Sequence, residues 1–545
     1  MKAGRKMEDL LVSVMFLGNL LIFAIIGYFI KKREINLGKM KWCIAFAWIG
    51  LTMFLYMNIT GILDSGYHLI DDHEIYEIKA DFLQIGFWGT MLKWLKADLN
   101  IRFRFTYFLL RIVECYFLGD CFKLWHILQG AISVLSVFTA YFYARRMQTP
   151  PWLSYLFSMA IFLGGGQSAV LWRLGPQEGV GVLLLMLTLI SLTYYAEYKK
   201  IFIVPVILTF FLAGIKESFL ILLPLLPFLL LVIEMKHEGK FDLSGCRGKI
   251  RDKWLYWAAV YAIFAADMGI VIFRVGTDKI GYAGIDSTYG LKEYLKEIFE
   301  ICIGSFKAYF LVSGVGIVFL LIFLVILKRK ISLKKLYPEI LAFTLVFGYI
   351  LASQFVLYAK SGMHERYLIP ATVGFSMFWI IDMNNIVKKL PLPIFCHYIF
   401  MVSLAFVLAL GYKDDESACQ YAQDGKNTTE MMGKIAEYGD MKPDIIVSLG
   451  YEMDFSASVY LQEKYGIKTA YNVNCSGSDD GIAHDGWKKS LEEKDGIELD
   501  EGHIYMGYGE KLEKDMEDYG LSMEDFSAYE YGKYALYVRN TFDGR

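Results

Sequence analysis

"GILDSGYHLIDDHEIYEIK", residues 61–79, sets Asp71, Asp72, His73 and Glu74 in a row directly after a run apolar enough to lie in a membrane. Where that charge falls in the chain decides how the rest is read. The protein has 545 residues, of which 56% are apolar and 16% aromatic. Its mean hydropathy is +0.39. Such a composition excludes both a disordered chain and an ordinary soluble one.

A crossing of the hydrocarbon core takes roughly 20 mostly apolar residues. About twelve segments approach that length: 9–30, 42–60, 122–143, 152–172, 178–197, 201–215, 218–234, 254–273, 305–327, 338–358, 367–386 and 393–412. Segment 9–30 is followed by Lys31-Lys32-Arg33 and not by small residues, so it reads as a span and not as a cleaved signal. Lysine and arginine recur at every second junction: Lys31 to Lys41, Arg145-Arg146, Lys199-Lys200, the 235–253 loop, "KRKISLKK" (328–335) and Lys388-Lys389. By the positive-inside rule these loops are cytoplasmic. The external set is then 61–121, 173–177, 274–304, 359–366 and everything from 413. The amino terminus falls outside too, against its own Lys2, Arg5 and Lys6.

The net charge of −2 hides a division. Residues 413–545 carry 29 acidic against 14 basic side chains, a net −15, and the remainder carries +13. Two domains follow: a membrane part, 1–412, with its large external loop at 61–121, and an acidic extracytoplasmic tail, 413–545. The basic excess suits cytoplasmic loops and anionic lipid headgroups, and nothing calls for nucleic acid. Of eight cysteines, Cys115, Cys121, Cys419 and Cys475 fall on the external side, where Cys419 and Cys475 could pair.

Loop 61–121 is too long for a simple connection. "ADFLQIGFWGTMLKWLKADL" and "RFTYFLLRIVECYFLG" alternate apolar clusters with charge near helical spacing, as does "LKEYLKEIFEICIGSF" at 291–306. These are helices lying in the interface plane, beside the acidic cluster, and together they roof a cavity at the membrane surface. In the tail, "DIIVSLG" (444–450), "IKTAYNV" (467–473), "HIYMGYG" and "YALYVRN" read as strands, and "FSASVYLQEKYG" (455–466) as a helix ending on Gly466. The fold class is therefore a polytopic α-helical membrane protein with external amphipathic helices and a small soluble α/β domain.

If a helix begins at 69–78, Asp71 and Glu74 share one face and Asp72 and Tyr76 the next. The bland reading is a solvated loop end with a capping aspartate. The sharper one is a carboxylate acting as general base toward an acceptor hydroxyl, its pKa moved by partial desolvation.

The acidic pair in the first external loop, followed by "RFRFTYFLLRIVECYFLGDCFKLWHIL", resembles the GT-C class of membrane glycosyltransferases. The branch it is most similar to holds the protein O-mannosyltransferases and aminoarabinose transferases. "WRLGPQEGVG" (172–181), "LAGIKESFLILLP" (212–224) and "HERYLIP" (364–370) resemble later segments of that class. The motifs are short and degenerate, and their order over 42–390 is what carries the resemblance. It implies an inverting transfer of a sugar from a polyprenyl-phosphate donor to an acceptor outside the cytoplasmic membrane. It places the catalytic base on Asp71, with Asp72 or Glu74 as partner, since the family often has Glu where Asp72 stands. The departing phosphate calls for cations. Arg366 is the first candidate, followed by Arg173, Lys216 and Arg102, with Arg104 also in range; His73, Glu178 and Tyr367 complete the cavity set.

Each has a plainer role as well: Arg366 as a headgroup anchor, Lys216-Glu217 as a self-neutralising pair at a helix turn, Glu178 as a favourable first-turn carboxylate. No cofactor is implied. His68, Asp72, His73 and Glu74 offer metal ligands, but consecutive residues cannot all converge on one ion from a helix, and the class contains both users and non-users of a divalent ion. The acceptor, whether glycan, protein or lipid, is open. The alternative is a transporter or flippase, which would set its ionisable residues at the midplane in matching broken halves. Only Lys216-Glu217 favours that.

Overall fold

The computed structural model describes residues 37–542 except 101, 165–166, 199–200, 240, 242–244, 276–289, 305, 327–336, 360–364, 390–393, 468–469 and 472–499, with a few positions between 18 and 33. The span expected at 9–30, the basic loop 328–335, His364 and Cys475, with its pairing to Cys419, lie outside the described residues or nearly so.

Helix α1 (Met40–Thr60) leads into the opening stretch and stops at Gly61, whose left-handed backbone (φ 75°) turns its N–H back to the Met57 carbonyl. Then come α2 (His73–Asp98), broken at Gly86 (φ 70°, ψ 174°), α3 (Phe105–Leu118) and α4 (Phe122–Arg146). Further along are α5 (Glu178–Glu197), α6 (Glu217–His237), α7 (Trp254–Val275), α8 (Leu291–Ile303), α9 (Lys307–Ile326) and α10 (Tyr337–Tyr358).

Among the described residues six helices are long and apolar enough to cross a membrane: α1, α4, α5, α6, α7 and α10, with bent α8 and α9 making a seventh if taken together. Three other expected spans are helical but broken or short. Segment 152–172 divides into Pro151–Leu163 and Gln167–Trp172, 201–215 shortens to Ile203–Ala213, and 367–386 is interrupted by a π-turn at Met377–Asp382. At 1.5 Å per residue, an unbroken stretch of 11 or 13 residues falls well short of the ~30 Å core.

The loop helices are amphipathic with their apolar faces outward. Leu83, Ile85, Trp88 and Leu92 on α2, Tyr116 and Phe117 on α3, and Leu291, Leu295, Phe299 and Ile303 on α8 are all exposed. Spacing of about one turn aligns them into stripes, as a helix dipping into an interface requires. Asp81 links the two halves of α2 across the Gly86 break, accepting from Lys93 Nζ at 2.7 Å and Trp94 Nε1 at 2.9 Å.

The last apolar segment does not end where the acidic tail begins. Helix α11 (Ile394–Ala436) is 43 residues long, about 65 Å, or twice the hydrocarbon thickness. One continuous helix thus leaves the bundle and carries the first part of the tail.

Behind it stands a five-stranded sheet of order β2-β1-β3-β5-β4: β1 (Ile445–Ser448), β2 (Ala470–Tyr471), β3 (Ile504–Tyr508), β4 (Phe526–Tyr531) and β5 (Tyr534–Arg539). β1 runs parallel to β2 and β3, and β5 pairs antiparallel with β3 and β4. Helix α12 (Tyr451–Tyr465) follows β1 and ends on Gly466 in the left-handed region; α13 (Gly509–Asp518) follows β3.

The tail is seated on the 61–79 stretch. Tyr67 meets Ser456 Oγ at 2.6 Å through its hydroxyl, and its ring lies 4.2 Å from that of Tyr460. His73 packs edge-on against Phe455 at 5.4 Å. Tyr67 N–H donates to Thr429 Oγ1 on α11 at 2.9 Å, so close that a Cβ on neighbouring Gly66 would stand 2.3 Å from that oxygen.

Candidate active site

The acidic cluster is not arranged as a continuous helix. Residues 69–72 form a turn, α2 starts at His73, and Asp71 takes a left-handed backbone, φ 70°. Aspartate tolerates this conformation better than most residues, but at a cost. The face shared by Asp71 and Glu74 in the sequence reading therefore does not exist, and the carboxylates point to separate surroundings.

Asp72 turns inward and is 1% exposed. Its Oδ2 accepts the His68 N–H at 2.9 Å, while Oδ1 is buried with no hydrogen-bond partner. Burial pushes its pKa up to about 7, against the pull of the His68 N–H and Arg111. Glu74 faces α3: Tyr107 Oη donates to it at 2.6 Å and Arg111 Nε stands 3.6 Å away. Burial raises its pKa, with Arg111 and Tyr107 opposing. His73 belongs to the tail contact described above. His68 stacks on Tyr421 at 3.6 Å, accepts or donates at 2.7 Å with Ser65 Oγ, and burial holds its pKa well below the usual histidine value. The four metal-capable side chains of the stretch thus serve four different neighbours, and among the described residues no three such groups converge.

Asp71 alone of the cluster lines a cavity of about 400 Å³. The walls come from three sources. Loops 68–71 and 173–176 give Asp71, Arg173 and Gly175; α11 gives Ser417, Gln420, Tyr421 and Asp424; the tail gives Met453, Tyr508, Lys533 and Tyr534. Gly175 is required for close approach: a Cβ there would lie 2.0 Å from Asp71 Cβ and 2.7 Å from Oδ2. Arg173 lies over the Tyr421 ring, 5.3 Å from its centroid. Lys533 pairs with Asp424 at 2.6 Å.

A second group adjoins Asp71. Tyr367 is held between two cations, Lys216 Nζ 4.0 Å from its ring centroid and Arg366, whose Nη2 donates to the Tyr367 hydroxyl at 3.0 Å. Lys216 pairs with Glu178, not with Glu217, and both members are almost wholly buried. Burial opposes the charge on Arg366, but Tyr367, Glu178 and Asp71 are near enough to more than offset it, and its pKa is raised. Arg102 is within electrostatic reach of Lys216. Arg104 is committed to Asp98, its Nε 3.0 Å from Oδ1.

Sequence reasoning did not single out Arg111 or Gly175. Arg111 is 1% exposed; its Nη1 donates to the Leu174 carbonyl at 2.7 Å and its guanidinium lies over Trp125. It joins Glu74, in the first turn of α2, to the backbone beside Gly175 in the 173–176 loop. The available signal was an arginine on the otherwise apolar stripe Tyr107, Phe108, Ile112, Cys115 of α3.

No family model matches the chain, and no curated protein matches it. Two solved structures align along most of its length. One is ArnT from Cupriavidus metallidurans bound to undecaprenyl phosphate, 11% identical, covering 92% of this chain and 98% of that one at a TM-score of 0.47. The other is the same protein in the apo state, 10% identical over the same shares, also at 0.47.

Proposed function

We propose that the chain is an inverting membrane glycosyltransferase of the GT-C type, moving a sugar from a polyprenyl-phosphate donor to an acceptor hydroxyl on the outer side of the cytoplasmic membrane. The observation that carries this reading is the separation within "IDDHE": Asp72, His73 and Glu74 are directed into protein contacts, and Asp71 is presented to a cavity walled by loops 68–71 and 173–176, α11 and the tail, not by the amphipathic helices expected to roof it. An acceptor oxygen attacks the anomeric carbon while Asp71 takes its proton, and the bond from that carbon to the phosphate oxygen breaks with inversion. The phosphate leaves with its negative charge toward Arg366, which can meet two oxygens at once. Lys216, neutralised by Glu178, holds Tyr367 in place and is not the first receiver of phosphate.

The test is donor consumption. Purified protein in lipid is incubated with a panel of polyprenyl-phosphate sugars, comparing wild type with Asp71→Asn and Asp72→Asn. Release of free polyprenyl phosphate by wild type and Asp72→Asn but not by Asp71→Asn supports the reading. Equal release by all three would remove Asp71 from the chemistry, and neither binding nor turnover of any donor would sink the reading.

A further inference from the structure

The cavity beside Asp71 is walled by the tail on one side, and that wall has the chemistry of a ligand site. We infer that Tyr508, Lys533 and Tyr534 of the tail, facing Gln420 and Asp424 of α11, form the acceptor subsite, and that they receive a neutral sugar ring. This rests on the glycosyltransferase reading.

The direction of approach comes first. An inverting displacement needs acceptor and leaving group on opposite sides of the anomeric carbon. A lipid-borne phosphate must come from the bundle, where Arg366 stands at the start of a helix that continues as Ile369–Ser376. The side left for the acceptor is the water-accessible cavity walled by α11 and the tail.

The charge balance comes next. Within the lining, Asp71 and Asp424 are matched by Arg173 and Lys533, and the second pair is in contact at 2.6 Å. No excess of either sign remains to select an anion or a cation. What is left is amide, hydroxyl and aromatic: Gln420, Ser417, and Tyr508 stacked at 5.6 Å on Tyr534. Flat rings beside paired donors and acceptors suit a molecule with C–H faces and a rim of hydroxyls, which is a pyranose.

The wall is also built in place. Lys533 is the second residue of the two-residue turn joining β4 to β5, with Gly532 before it in the left-handed region (φ 68°). A Cβ at Gly532 would stand 2.2 Å from Asn427 Nδ2, so the turn is pressed against α11, and the Lys533 carbonyl accepts the Gly509 N–H at 3.1 Å. A preformed wall binds without the cost of ordering it.

The experiment is saturation-transfer NMR on the full chain in lipid nanodiscs with free galactose, N-acetylglucosamine and maltotriose as probes. Wild type should transfer saturation to the ring protons of at least one. Tyr508→Ala, Lys533→Gln and Gln420→Ala should each weaken that binding about tenfold, and Tyr508→Phe, which keeps the ring, should bind as wild type does. Gln420 is exposed on α11, so its variant stays informative if the buried-side variants melt early. No transfer to any probe, or variants that bind like wild type, would overturn the inference. The donor assay, run on the same preparations, separates the two readings. Sugar binding through this wall without release of polyprenyl phosphate would defeat the transferase reading and leave the wall. Release with sugar binding indifferent to the wall variants would defeat the wall alone.

Discussion

Asp71 sits in a strained backbone with its carboxylate in the space a side chain at 175 would need. Two consequences can be measured. Asp71→Asn keeps the shape and the tolerance for positive φ but loses the base, so turnover should fall by about 10²- to 10⁴-fold with donor affinity little changed. Gly175→Ala leaves the carboxylate chemistry intact and displaces it; turnover should fall comparably while the melting curve stays cooperative, and wild-type turnover in that variant would mean the approach is looser than 2.0 Å implies. Asp72 makes a prediction of another kind. Its folded pKa of about 7 lies above the unfolded value near 3.9, so between pH 4 and 7 the native state keeps a proton that the unfolded chain has lost. Stability from this group therefore declines as pH rises through that window and levels off above it, by about 4 kcal/mol at most. Asp72→Asn should flatten the fall in melting temperature between pH 4.5 and 7.5; an unchanged slope would show that the burial penalty lies elsewhere. The adjacency of the two aspartates was legible in the sequence, and the resemblance already preferred Asp71 as the base; that Asp71 lines the cavity while Asp72 is buried was not. Their burial depends on whether the helix begins at 69 or at 73, which the turn at 69–72 and the positive φ of Asp71 decide.

At the scale of elements, the two loops that meet at Asp71 are kept in register by α3. Arg111 reaches Glu74 with one side of its guanidinium and the Leu174 carbonyl with the other. Glu74→Gln keeps the Tyr107 hydrogen bond and removes the charge facing a buried guanidinium, whose isolation is costly. We expect it to lower turnover more than donor binding and to speed hydrogen exchange in 173–176. Lysine at 111 cannot reproduce a two-sided contact, so Arg111→Lys should do the same; normal exchange at 173–176 in both variants would leave the register to other contacts. The elements themselves were read with uneven success for a physical reason. β1, buried on both faces, shows as the apolar run "IIV", whereas edge strand β4, "FSAYEY", alternates with polar residues and passes for a loop. The spans were legible as apolar runs, but a run cannot show that Gly164 ends a helix or that a π-turn interrupts one.

For the whole molecule, the opposite charges of bundle and tail mark two environments, yet α11 joins them in a single helix, and the cavity exists only because both contribute walls. Which side of the membrane it faces follows from the lysine and arginine bias alone, and two cysteines can report it. Cys121 is exposed at the start of α4, next to Asp120, which pairs with Lys79 of α2 at 3.0 Å and so belongs to the Asp71 end of the bundle. Cys246 lies beyond the far end of α6, whose 21 residues span about 32 Å from the Lys216 side. In single-cysteine variants of otherwise cysteine-free protein, a membrane-impermeant maleimide should label Cys121 on intact cells and Cys246 only after the membrane is opened. Opening must matter for one site and not the other, because the two ends of α6 are separated by the full hydrocarbon core. The opposite pattern would put the cavity in the cytoplasm, where an acceptor would be met before export, and the assignment of the outer face would fall with it.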